Sequence, residues 1–110
     1  MANGATPSRP GPFALGFEHG AEAVEDAPLH EIAARVPEYR RGYVVGRMYS
    51  ESVRQVSLAA GFKLAGELGV RFGIDKTDLI ATMQMSPECE RAIDEEYSKA
   101  LAGSRRREGH

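Results

Sequence analysis

Three glycine-bearing units impose the tightest constraint on what this chain can fold into. The central one, Tyr39-Arg40-Arg41-Gly42-Tyr43-Val44-Val45-Gly46, repeats an aromatic-x-x-Gly step. Phe13-Ala14-Leu15-Gly16-Phe17-Glu18-His19-Gly20 carries the same pattern upstream. Leu58-Ala59-Ala60-Gly61-Phe62-Lys63-Leu64-Ala65 carries it downstream, with alanine in the second glycine place. Positions four apart share a face of an α-helix, so each unit sets an aromatic ridge beside a ridge with almost no side chain. Glycine inside a helix costs roughly 1 kcal/mol relative to alanine. Close approach of a second helix backbone offsets that cost. Gly16, Gly20, Gly42, Gly46, Gly61 and Gly69 are therefore assigned to close helix packing, with contact to a partner as the alternative use of the same faces.

A chain of 110 residues carries one domain. A hydrophobic share of 42% and a charged share of 27% suit a globular protein, and a formal net charge of -2 gives no overall attraction to nucleic acid or an acidic membrane. No apolar run approaches the ~20 residues of a transmembrane helix. Residues 1–12 hold prolines and glycines with nothing to bury, so they read as a disordered leader and not as a signal peptide. A single cysteine excludes an internal disulfide and points to a reducing compartment, so a cytoplasmic location is expected.

From Phe13 onward the pattern is helical. Asp26 and Pro28 open a short second helix striped by Leu29, Ile32, Ala33 and Val36, and Pro37 begins the third. A rod from Glu38 to Phe72 would leave much apolar surface uncovered, so a break is expected within Ser50-Glu51-Ser52. The fourth helix sets Gly61, Ala65, Gly69 and Gly73 four apart beside Leu64, Leu68 and Phe72, with Gly73 as the left-handed residue that ends it. Asp75 caps a fifth helix and Ser86-Pro87-Glu88 starts a sixth, which runs to Gly103. Residues 104–110 read as a solvated basic tail. No segment alternates with period two. The spacing thus predicts an all-α domain over 13–103, an orthogonal or antiparallel bundle of five to six short helices.

Charge is uneven along the chain. Glu18 and Glu22 lie on the first helix, Glu95 and Glu96 on the last, and Arg40, Arg41 and Arg47 on the third. These seven are the candidate partner-binding residues. The other reading is that acidic helices neutralise a basic one.

Catalytic patterns fail one by one. His30-Glu31 begins a zinc motif, but position 34 is alanine. His19 and Glu22 supply two ligands without a third. Cys89 stands between two glutamates that oppose a thiolate. The glycines lie at helical spacing with no phosphate-binding Lys-Ser/Thr partner. No catalytic residue, metal or cofactor is expected. Leu68 to Leu79 does match the packing of a helix-turn-helix, although its second helix would present Asp75 and Asp78 to the acceptor-rich groove of DNA.

The units at 13–23 and 39–46, together with Arg47-Met48-Tyr49, Ala60-Gly61 and Arg71-Phe72-Gly73-Ile74-Asp75-Lys76, resemble a family of small bacterial proteins of unknown function. The likeness covers roughly residues 13–83 in the same order. This chain differs in a shorter link between the third and fourth helices and a longer acidic helix at the end. The resemblance implies the domain and no activity. The shorter run Arg41–Gly46 is similar to the Gly-aromatic-x-x-Gly helix of the ribosome modulation factors, which implies association with ribosomal RNA. The residues themselves favour a non-catalytic helical regulator or inhibitor that docks on a protein, with a homodimer compatible with the same faces and with no membrane association. The alternative is a nucleic-acid binder, either a helix-turn-helix protein or a ribosome-associated factor.

Overall fold

The computed structural model describes residues 11–23 and 27–108. Six helices follow one another: α1 Pro12–Glu22, α2 Leu29–Ala33, α3 Pro37–Gln55, α4 Leu58–Arg71, α5 Lys76–Met83 and α6 Pro87–Glu108. No strand occurs among the described residues, so the all-α reading holds. The expected cap at Asp26 and most of the leader fall outside the described residues.

The first two glycine units face each other. A Cβ on Gly16 would press into the carbonyl oxygen of Tyr39 and stand 2.9 Å from the amide of Tyr43. A Cβ on Gly42 would press into the carbonyl oxygen of Phe13 and stand 2.9 Å from the amide of Phe17. One turn on, Gly20 meets the backbone of Tyr43 and Arg47 while Gly46 meets that of Phe17 and Ala21. The offset of 26 residues that relates Phe13 to Tyr39 also relates Gly16 to Gly42 and Gly20 to Gly46. The two units therefore pack as a pseudo-twofold pair. Contacts advance along both helices together, so α1 and α3 run parallel. Backbone against backbone at this range leaves no room for any side chain, and it brings glycine Cα–H groups onto carbonyl oxygens, a weak but repeated attraction.

The third unit packs differently. Gly61 faces the opposite side of α3, with Met48 and Ser52 above it. Gly69 meets only the side chains of Leu79 and Tyr97, whereas Gly66 lies against the backbone of Glu96 and Tyr97 in α6. Gly66 lies outside the aromatic-x-x-Gly pattern, one position beyond the Ala65 that ends the third unit. Both α3–α4 and α4–α6 are antiparallel. The core between them holds Val44, Ala65, Leu68, Phe72, Leu79 and Ile93, all almost wholly buried.

Most helix boundaries follow from their caps. Pro37 occupies the first turn of α3, Asp75 accepts from the Thr77 amide at 2.9 Å, and Ser86 accepts from the Cys89 amide at 3.4 Å. Gly73, at φ +69°, ends α4 in a Schellman motif: Ile74 N–H donates to Gly69 and Gly73 N–H to Val70. Two boundaries depart from the sequence expectation. The break placed at Ser50–Ser52 comes later, at Val56, and it is Ser57 that caps α4 by accepting from the Ala60 amide at 3.2 Å. Burial of Met48, with Val44, against α4 keeps α3 helical through the serines. The last helix also passes Gly103 and continues to Glu108. There Gly103 and Ser104 are half-buried beside Lys63 and Glu67 of α4.

Because the glycine faces meet backbone and not yielding side chains, Gly42→Ala and Gly16→Ala are each expected to lower unfolding free energy by about 2–4 kcal/mol. Gly69→Ala, whose neighbours are side chains that can shift, should cost distinctly less. Urea unfolding of the three variants measures the order.

Candidate docking surface

The residues proposed for partner binding do not form one basic face. Arg47 is 3% exposed and donates to the carbonyl of Ala23, the residue that caps the C-terminus of α1, at 3.2 Å. Arg40 is half-buried and donates to the carbonyl of Phe72, the C-cap of α4, at 3.1 Å. Each guanidinium thus satisfies an orphan carbonyl at the negative end of a neighbouring helix. The fit at Arg40 is incomplete, since its Nε is buried without an acceptor. Arg41 is half-buried. Spacing along a helix cannot reveal that another helix ends against it, so these arginines read as surface charge in the sequence.

The acidic candidates are outward-facing but separate. Glu18 and Glu22 are exposed on α1, which packs on α3. Glu95 is exposed on α6, which packs on α4, and Glu96 beside it pairs with Lys99 at 3.5 Å. The helix-turn-helix comparison fares no better in charge. Lys76, at the head of α5, pairs with Asp94 at 2.8 Å, and that hydrogen bond raises its pKa above the usual lysine value. Asp75, Thr77 and Asp78 are left exposed at the same end. A duplex approaching α5 would meet two carboxylates and a lysine already neutralised.

Concave features lie between the helices. A cleft of about 430 Å³ lies between α1, α2 and α3. In it His19 Nδ1 hydrogen-bonds the Tyr39 hydroxyl at 2.6 Å, Arg35 stacks 3.9 Å over the Tyr39 ring, and the Tyr43 hydroxyl accepts from the Ala27 amide at 2.8 Å. These contacts tie the segment around α2 to α3 through two tyrosines of the central glycine unit. A groove of about 710 Å³ runs between α4 and α6, with Lys63, Arg71 and Lys99 interspersed with Glu67 and Glu96.

The most unusual surface is apolar. Tyr49 is 58% exposed, Val53 61%, Val56 90% and Leu58 66%. All four sit at the corner where α3 passes into α4. The reason is a difference in length: α1 has 11 residues and α3 has 19, so the face of α3 that α1 covers at Gly42 and Gly46 runs on uncovered. The half-buried Phe17 reaches Tyr49, with ring centroids 6.3 Å apart. Charge near the corner is spent locally, since Glu51 pairs with Arg54 and accepts from Gln55 at 3.2 Å. The hydrogen bond from Arg54 holds the Glu51 carboxyl below the usual glutamate pKa.

Val56 adds a backbone observation. Its φ of 50° is left-handed, and the bonds Ser57 N–H to Ser52 and Val56 N–H to Val53 close α3 in the same Schellman pattern that Gly73 makes in α4. Here a β-branched residue stands where glycine is favoured. The sequence signal for this corner is Val53, Val56 and Leu58 straddling a serine cap. Local spacing alone does not reveal it, because Tyr49 and Val53 continue the face of α3 that carries Gly42 and Gly46.

Two measurements follow from these placements. Arg47→Ala should cost about 2–3 kcal/mol of stability, by leaving a helix-end carbonyl unpaired and a void, while Arg41→Ala stays within about 0.5 kcal/mol. Val56→Gly should raise stability by about 1 kcal/mol by relieving the left-handed strain. Chemical unfolding of each variant checks both. No match is found for the chain among protein-family models, curated proteins or solved structures.

Proposed function

We propose that this chain is a non-catalytic helical binding protein that docks on another protein through the corner formed by Tyr49, Val53, Val56 and Leu58, and acts as a regulator or inhibitor of what it binds. The observation that carries this reading is the exposure of four large apolar side chains at one corner, while among the described residues the other large hydrophobics, Val36 excepted, are at least partly covered. Contiguous apolar surface on a small domain marks an interaction site more often than chance exposure does. A valine at a left-handed position, where glycine would be less strained, agrees with a side chain that serves contact and not folding.

Nucleic acid is the weaker alternative. The likeness of Arg41–Gly46 to ribosome modulation factors and the helix-turn-helix spacing of α4 and α5 favour it. The inward turn of Arg47, the cap made by Arg40 and the exposed carboxylates of α5 weigh against it. Among the described residues no helix is long and apolar enough to cross a membrane.

The test places a photo-reactive phenylalanine analogue at Val56, and separately at Arg41 and Glu18, in the native cell. Crosslinks to protein from Val56, absent when Val53→Asp is added, are the expected result. Crosslinks to RNA or DNA from Arg41, with a salt-dependent gel shift on ribosomal RNA, would overturn the reading in favour of the alternative.

A further inference from the structure

We propose that the cleft between α1, α2 and α3 is a binding site for a small organic carboxylate, a single negative charge on an apolar body. The cleft is separate from the apolar corner, and the proposal does not rest on protein docking there. Its floor is built from buried side chains, Ile32 of α2 with Tyr39 and Tyr43 of α3, and Ala27 adds to the wall. The Tyr39 hydroxyl is paired with His19 Nδ1 and that of Tyr43 with the Ala27 amide, so the floor offers a ligand mainly ring and aliphatic surface. At about 430 Å³ the cleft has the size of a small-molecule site.

The rim supplies the charge. Arg35 is exposed in the turn between α2 and α3, with its guanidinium carbon 3.9 Å over the centroid of the Tyr39 ring. That contact uses the face of the guanidinium and none of its N–H donors. Arg40 and Arg47 give donors to helix-end carbonyls, whereas Arg35 donates to no carbonyl or carboxylate among the described residues. A guanidinium held on a ring with its donor edge open is preorganised for the two oxygens of a carboxylate. His19 adds a second donor. It meets the same tyrosine edge-on, with ring centroids 5.7 Å apart, and its Nδ1 is engaged by the Tyr39 hydroxyl. When that hydroxyl donates, Nε2 carries the ring proton and is the nitrogen left for a ligand.

The balance of charge selects the ligand. Among the described residues of the lining, Arg35 is the only lysine or arginine, and Glu31 stands on the same rim one helical turn before it. A dianion such as a phosphate group meets the Glu31 carboxylate as well as the guanidinium. A monoanion is matched by Arg35 alone. The apolar floor sets the rest of the molecule, since an aliphatic or aromatic body covers Ile32 and the tyrosine rings without leaving a polar group unpaired. A ligand seated there touches α1, α2 and α3 together and holds α2 on the parallel pair.

The experiment titrates the ¹⁵N-labelled full chain with 3-phenylpropionate near neutral pH. Saturable shifts should appear at the Ile32 and Ala27 amides and at Arg35 Nε–H, with a dissociation constant on the order of millimolar for an acid of this size. Two comparisons use the parent protein alone and hold whatever the variants do. 3-Phenylpropionamide keeps the body without the charge and acetate keeps the charge without the body, and each should bind at least about fivefold more weakly. Arg35→Gln should weaken the acid by a similar factor and Arg35→Lys by less, with circular dichroism showing both folded as the parent is. Amide binding as tight as acid binding would refute recognition of the charge. Inorganic phosphate that displaces the acid at equal concentration would make this a bare anion site and contradict the ligand class. Shifts that never saturate, or an Arg35→Gln variant that folds and binds like the parent, would remove the site altogether.

Discussion

The structure depends on two helix backbones meeting with nothing between them. Gly16 and Gly20 of α1 lie on the carbonyls of Tyr39 and Tyr43, and Gly42 and Gly46 of α3 return the contact on Phe13 and Phe17. Four glycines in helices weaken those helices locally, and the loss is recovered only if the pair forms. Formation in turn fixes the rest. The tyrosines beside the glycines flank the pair: Tyr43 meets Phe72 edge-on at 6.0 Å, and Tyr39 is enclosed by His19 of α1 and by Arg35. The far face of α3, through Val44 and Met48, then receives α4, and α4 receives α6 through Gly66. The order of assembly in space is thus a chain of pairwise helix contacts.

Short helices ending against longer ones create the second recurring device. α1 stops beside Arg47 and α4 stops beside Arg40, and each arginine donates to the carbonyl left over at that stop. Both sit near helix C-termini, where a cation also complements the aligned peptide dipoles. The same difference in length between α1 and α3 that gives Arg47 its partner leaves Tyr49 and Val53 without one on the adjoining face. Helix ending and candidate docking surface therefore have one structural cause.

How far the fold was legible follows from the range over which each signal acts. Caps are local, so Pro37, Gly73, Asp75 and Ser86 could be read directly from the chain. Glycine spacing is also local, and it identified the close-packing faces at Gly16, Gly20, Gly42 and Gly46. It did not say which face meets which, nor that α1 and α3 run parallel, because a glycine ridge has no direction. Gly66 escaped notice for the same reason that Arg47 was misplaced: each is explained only by a residue on a helix distant in sequence. The corner at Val56 was missed because a valine in a left-handed cap contradicts the local preference from which boundaries are read.

The most direct measurement of the central claim is the proton contact pattern across α1 and α3 in solution. With α1 parallel to α3 and glycine faces touching, nuclear Overhauser effects should connect Gly16 Hα with the Tyr43 amide and Gly42 Hα with the Phe17 amide, the two contacts that the pseudo-twofold relates. Both should be present, since a Cβ built on either glycine would stand 2.9 Å from the amide nitrogen named. Effects linking Gly16 instead to Gly46 and Gly20 to Gly42 would mean an antiparallel pair. That result, or the absence of any contact between the two helices, would contradict the account of both the fold and the surface it leaves open.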